Sequence, residues 1–122
     1  MHIERLRELG VSGIIIMCVH DENYSESILE MVVQHFPVVT IDRQLKGVPI
    51  SFVGTDNEAA SRDLARYLLD RGYRKTCFVK PHAAETSTLQ ERIRGFKKAY
   101  NEYGLFADES LWITDIRATL PA

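Results

Sequence analysis

Two short strings hold the side chains best placed to recognise a ligand. In residues 37–43, PVVTIDR, an apolar run stops at Asp42 and Arg43. In residues 53–57, VGTDN, a second run stops at Thr55, Asp56 and Asn57 and leads straight into an amphipathic helix. In open α/β sheets the crevice beyond the carboxyl ends of the strands is where ligands bind, so polar residues stationed there are candidates for recognition. The chain reads as part of a small-molecule sensor.

Other chemistry lacks its parts. There is no glycine-rich phosphate loop, no GxSxG elbow and no HExxH, so no catalytic residue is expected. Cys18 and Cys77 stand far apart, each in or at the end of an apolar run and without a CxxC, and are expected to be buried free thiols. His2, His20, His35 and His82 show no metal-ligand spacing, so neither a metal site nor a cofactor is expected. His20 and His82 follow strands and are minor candidates for lining a pocket. Residues 14–22, IIIMCVHDE, together with Lys80-Pro81, resemble parts of a phosphoacceptor receiver domain. The aspartate such a domain phosphorylates is missing, since Asp63 and Asp70 fall inside a helix and Asp42 comes too early.

The elements that must position Asp42 and Thr55 follow from periodicity. Ile3, Leu6 and Leu9 before Gly10 end a helix; residues 13–18 form an unbroken apolar run, the mark of a strand covered on both faces. Asn23 to Glu26 fits a capping pattern ahead of a helix through Ile28, Met31 and Val32. Residues 38–41 are the next strand, completing a βαβ unit with parallel strands. Residues 43–50 are too few for another crossover helix, yet an extended octapeptide reaches about 26 Å, enough to return along a short strand. Parallel pairing of the following strand is therefore open but not compelled. Ala60, Leu64, Tyr67 and Leu68 mark an apolar stripe on the helix from Asn57, where Asp56 or Asn57 caps. Strands are expected at 76–79 and 111–114. Between them Thr88 to Glu91 forms a capping box, and Leu89, Ile93, Phe96, Tyr100 and Tyr103 step down one helical face.

Composition narrows the partners. The chain has 122 residues, 45% hydrophobic and 26% charged, with a formal charge of −2. That balance gives no electrostatic footprint for nucleic acid. No apolar run is long enough to span a membrane and the first residues lack a signal peptide, so a cytoplasmic protein is expected.

Four features in order resemble the effector-binding domains of LacI/GalR-type transcriptional regulators, which share the fold of periplasmic sugar-binding proteins. They are IDR at 41–43, VGTDN at 53–57, LLDRGYRKTCFV at 68–79 and ERIRGF at 91–96. The resemblance covers most of residues 3–114. It implies an α/β fold with Rossmann-like parallel sheets and flanking helices, part of a two-lobe periplasmic-binding-protein-like domain. Residues 1–72 would belong to the N-terminal lobe and 73–122 would begin the C-terminal one. It also implies a fragment, with the DNA-binding headpiece and the later strands absent, and an exposed strand edge at 13–18 that invites a homodimer.

On this resemblance the effector is a sugar. Asp42 would accept from two hydroxyls, Arg92 matches the family's pocket arginine and would donate a fork of hydrogen bonds, Arg43 would flank the ligand, and Thr55 corresponds to a small polar residue near it. Asp42 and Arg92 are equally open to a structural ion pair, and Arg94 is read as solvated. The alternatives of the same fold are the solute-binding protein of a sugar transporter and a regulator with a GntR-type headpiece.

Overall fold

The computed structural model describes residues 2–18, 26–81 and 86–116. By contacts the chain separates into two compact units, Met1–Thr55 and Asp56–Ala122. The helix that follows Asp56 groups with the second unit by its contacts.

The first unit runs α1 (His2–Glu8), β1 (Ile14–Met17), α2 (Glu26–Val33), β2 (Val38–Ile41) and β3 (Ser51–Val53). The expected cap at 23–25 lies outside the described residues. The strands form one parallel sheet in the order β1-β2-β3. Residues 43–50 thus make the parallel return without a helix. What holds this short link is Leu45, only 2% exposed, which turns back into a core of Ile28, Met31, Val38 and Cys18. Burying a leucine or methionine so fully stabilises by about 1.5–3 kcal/mol each.

Register sets the rim. Met17, Ile41 and Val53 are Cα partners across the sheet, so the three strands end level. The strand at 13–18 differs from expectation in its burial: Ile14 and Ile16 pack on the core, whereas Ile15 and Met17 are 73% and 65% exposed. With Val53 they make an apolar sheet face that α1 and α2 leave uncovered.

The second unit contains α3 (Asn57–Asp70), β4 (Val79–Pro81), α4 (Ser87–Glu102), a 3-10 turn (Glu109–Leu111) and β5 (Ile113–Ile116). Strands β4 and β5 pair in parallel, each starting two or three residues later than the periodicity predicts. Residue 78 is the reason for β4: Phe78 sits ahead of the strand, and its ring meets Phe96 at 5.5 Å and Trp112 at 5.3 Å between centroids. Tyr100 completes this aromatic core, its hydroxyl donating to the Arg74 carbonyl at 3.1 Å. The α4 stripe is as expected, with Leu89, Phe96 and Tyr100 buried.

Helix α3 turns out differently. Its buried face is Asn57, Ser61, Ala65 and Leu69, and it lies on α4, leaving Leu64 and Tyr67 at 70% and 54% exposure. Small side chains allow the two helices to approach closely, and that approach outweighs the larger apolar stripe. Cys77 is exposed, contrary to expectation, because it precedes β4; Cys18 is buried. No helix of the described residues is long and apolar enough to cross a membrane.

Candidate functional site

Asp42 stands immediately past the end of β2. Its amide donates to the Val53 carbonyl at 3.0 Å, extending the β2–β3 ladder by one rung beyond the strand. The Arg43 amide then donates back to the Ile41 carbonyl at 2.8 Å, closing a γ-turn around Asp42, whose φ is +67°. A non-glycine residue in that region is strained, and such strain persists only where surrounding bonds enforce it. Here two main-chain bonds do so. The exposed carboxylate is consequently held by the backbone rather than by its own packing.

Arg43 follows, half-buried, and Thr55 lies two residues past the end of β3, exposed. Since the strands end level, the first unit brings Asp42, Arg43 and Thr55 to one rim of one sheet. Cys18 follows the last residue of β1 at that same rim.

Arg92 belongs to the second unit, in the first half of α4. Its Nε donates to Asn57 Oδ1 at 2.9 Å, so among the described residues its orienting partner is a neutral amide at the start of α3 and not the carboxylate of an ion pair. Asn57 is 4% exposed and its Nδ2 donates to Glu91 Oε2 at 3.3 Å. Ser61 Oγ donates to the Arg92 carbonyl at 2.6 Å. Of the two capping candidates Asp56 does the capping, accepting from the Ala59 amide at 2.9 Å. Helix α4 is capped by Thr86 rather than by the expected Thr88; the two hydroxyls share a hydrogen bond of 3.0 Å.

What brings α4 onto α3 is Gly95. A Cβ there would lie 2.1 Å from the Glu58 carbonyl oxygen and 3.0 Å from the Arg62 amide nitrogen. Arg94, read as solvated, is exposed, and from the surface it pairs with Glu58 at 3.2 Å; Lys98 reaches the same carboxylate at 3.4 Å. The Arg94 and Lys98 hydrogen bonds hold the Glu58 carboxyl below its ordinary value of 4.5. A lowered folded-state pKa stabilises above the unfolded value, and that contribution disappears as the pH falls through the folded one. Thermal melts of the second unit are expected to lose stability below about pH 4.5 by an increment absent from Glu58→Gln. Identical acid slopes for both proteins would contradict the pairing.

Two hollows lie within single units. One, of about 330 Å³, is lined by Asp56, Glu58, Ala59, Arg62 and Lys98, two anions against two cations. The other, of about 220 Å³, includes Val38 and Ser51, which begin β2 and β3, and so sits at the opposite end of the sheet from Asp42. Neither is lined by the predicted ligand residues. Among the described residues no three His, Cys, Asp or Glu side chains group as metal ligands. His20, His82 and the acidic pair Asp21-Glu22 lie outside the described residues.

Comparison with known proteins agrees with this architecture. Residues 1–119 match the profile of a family described as periplasmic binding proteins and sugar binding domain of LacI family. The chain is 30% identical over 114 residues to the HTH-type transcriptional repressor PurR of Vibrio atlanticus (strain LGP32), covering 92% of this chain and 33% of that repressor. It superposes on a regulatory protein of LacI family from Chloroflexus aggregans with a TM-score of 0.75 at 19% identity, covering 97% of this chain and 41% of the other. An ABC sugar transporter (periplasmic sugar binding protein) from Legionella pneumophila gives 0.70 at 26% identity, covering 88% and 41%. The chain thus spans about a third of the length of the curated relative it matches. The curated relatives are transcriptional regulators, not enzymes.

Proposed function

The chain belongs to the family of periplasmic binding proteins and LacI-type sugar-binding domains, and on that premise we propose that it is the core of a transcriptional regulator's effector domain with a small sugar as effector. The observation that carries this reading is Asp42. A carboxylate fixed by main-chain bonds beyond the level ends of parallel strands, in a strained turn, is what recognition of hydroxyls at a strand-end crevice requires. Arg43 and Thr55 share that rim. Arg92 supplies the guanidinium, as the proposed ligand group of the second unit. The proposed lobes are residues 1–72, part of the N-terminal one, and residues 73–122, the start of the C-terminal one.

Regulation follows from linkage. A sugar that prefers one arrangement of the lobes shifts the population toward it, and DNA affinity changes by the same factor as sugar affinity does on DNA binding. DNA is reached through a headpiece outside this chain, in a homodimer acting in the cytoplasm. A transporter's solute-binding protein is the second reading, favoured by the likeness to the Legionella sugar-binding protein.

Calorimetric titration of the intact protein with D-ribose, D-glucose and D-galactose, repeated in the presence of its upstream DNA, tests both. One sugar is expected to bind, with an affinity that DNA changes. Sugar binding indifferent to DNA would favour the transporter reading, and a protein that takes none of the sugars would overturn the sugar assignment.

A further inference from the structure

We propose that Asn57 is the positioning residue for the Arg92 guanidinium, holding it by Nε so that its terminal nitrogens are presented to a bound sugar. The inference rests on the reading of Arg92 as a ligand group.

Asn57 opens α3, a position where a polar side chain normally lies in water, yet it is 4% exposed. Burial of an amide costs stability unless both of its ends are satisfied. Both are, by adjacent residues of α4: Oδ1 accepts from Arg92 Nε at 2.9 Å and Nδ2 donates to Glu91 Oε2 at 3.3 Å. Glu91 and Arg92 together favour this facing of the amide. Turned over, the amide would set its N–H donors against the guanidinium and its oxygen against the carboxylate.

A guanidinium is planar, so fixing Nε fixes the plane and leaves Nη1 and Nη2 as a fork directed away from the held edge. The choice of an amide matters. A carboxylate partner would orient the group equally well but would neutralise it, whereas Asn57 orients without spending the charge. Two further contacts hold the same residue in place. Ser61, one turn along α3, donates to the Arg92 carbonyl at 2.6 Å, and Gly95 lets α4 lie against the first turn of α3. Arg92 is therefore gripped at its main chain and at Nε by a single helix face.

The test needs a readout that fold stability alone does not move. In ¹⁵N-labelled intact protein the Arg92 Nε–H is expected to exchange with water at least tenfold more slowly than that of a free arginine side chain, since it must leave its acceptor first. Asn57→Ala is expected to abolish that protection and to weaken sugar binding about tenfold. The double variant N57D/E91Q exchanges donor and acceptor between the two positions and keeps every bond: the amide introduced by Glu91→Gln donates, and the carboxylate introduced by Asn57→Asp accepts from it and from Arg92. This variant is expected to restore the slow Nε–H, whatever the melting temperature of the single variant.

Sugar titrations with D-ribose, D-glucose and D-galactose separate the two layers. Arg92→Ala that leaves sugar binding unchanged overturns the ligand role of Arg92, and the positioning for a sugar falls with it. Arg92→Ala that weakens binding about a hundredfold, with Asn57→Ala binding as tightly as wild type, overturns the positioning role alone. A wild-type Arg92 Nε–H that exchanges as fast as a free side chain overturns it without any ligand.

Discussion

Gly95→Val is expected to unfold the second unit at ambient temperature, and Gly95→Ala to lower its stability by about 2–3 kcal/mol. The atoms that a Cβ would meet are main chain, at 2.1 Å from the Glu58 oxygen, 2.9 Å from the Glu58 carbonyl carbon and 3.0 Å from the Arg62 nitrogen. No rotamer change relieves such a clash. The helices must part by roughly an ångström or more, because close-packed interiors tolerate little overlap. Parting them stretches Ser61–Arg92, slackens Glu58 with Arg94 and Lys98, and opens the contacts of Ala65, Leu69 and Ala99. Helix propensity works the other way, since alanine is favoured over glycine by about 1 kcal/mol in a helix interior. The clash is the larger effect, so the net sign is a loss. Trp112 is the chain's one tryptophan and packs in this unit's aromatic core, so its emission during a denaturant titration reads the unit directly. A Gly95→Ala midpoint at or above wild type would show that the helices do not cross this tightly.

Asp42→Gly should make the first unit firmer and the protein worse at its task. At φ +67° a side chain costs about 1 kcal/mol or more, and glycine removes that cost while adding some freedom to the unfolded chain. The expected outcome is stability equal to wild type or higher by up to about 1 kcal/mol, whereas Asp42→Ala, which keeps the strain, gains nothing. Both substitutions delete the carboxylate. Charged hydrogen bonds are worth about 1.5–3 kcal/mol, so effector affinity should fall roughly tenfold to a hundredfold in either variant. Paired calorimetry and urea melts check it. Glycine and alanine variants that both lose stability and both keep sugar affinity would assign Asp42 to the fold rather than to the ligand.

The rim was the most legible part of this chain. Apolar strings that stop at a polar residue mark strand ends whatever happens elsewhere, and 37–43 and 53–57 stop where β2 and β3 do. The parallel return of β3 could only be left open, because it depends on Leu45 finding the core, a tertiary event that an eight-residue link does not announce. Helix α3 misled for a related reason. Periodicity weighs size, and Leu64 and Tyr67 outweigh Ser61 and Ala65, yet the small residues face α4 because only they let Gly95 come close. Local patterns likewise could not rank Thr86 against Thr88, two hydroxyls in one turn of chain. Asn57 was invisible as a holder of Arg92: beside Asp56 it reads as a cap, and its partners lie 34 and 35 positions away.

Because the amide of Asp42 is tied to the neighbouring strand's main chain, the location of this anchor does not depend on what its neighbours are. On the proposed reading, substitution at 18, 43 or 55 would alter which groups a ligand meets while the anchor itself stays put. A scaffold of this kind would separate grip from vocabulary, so that on the proposed reading new effectors would need only a few side-chain exchanges and no rebuilding of the sheet that holds them.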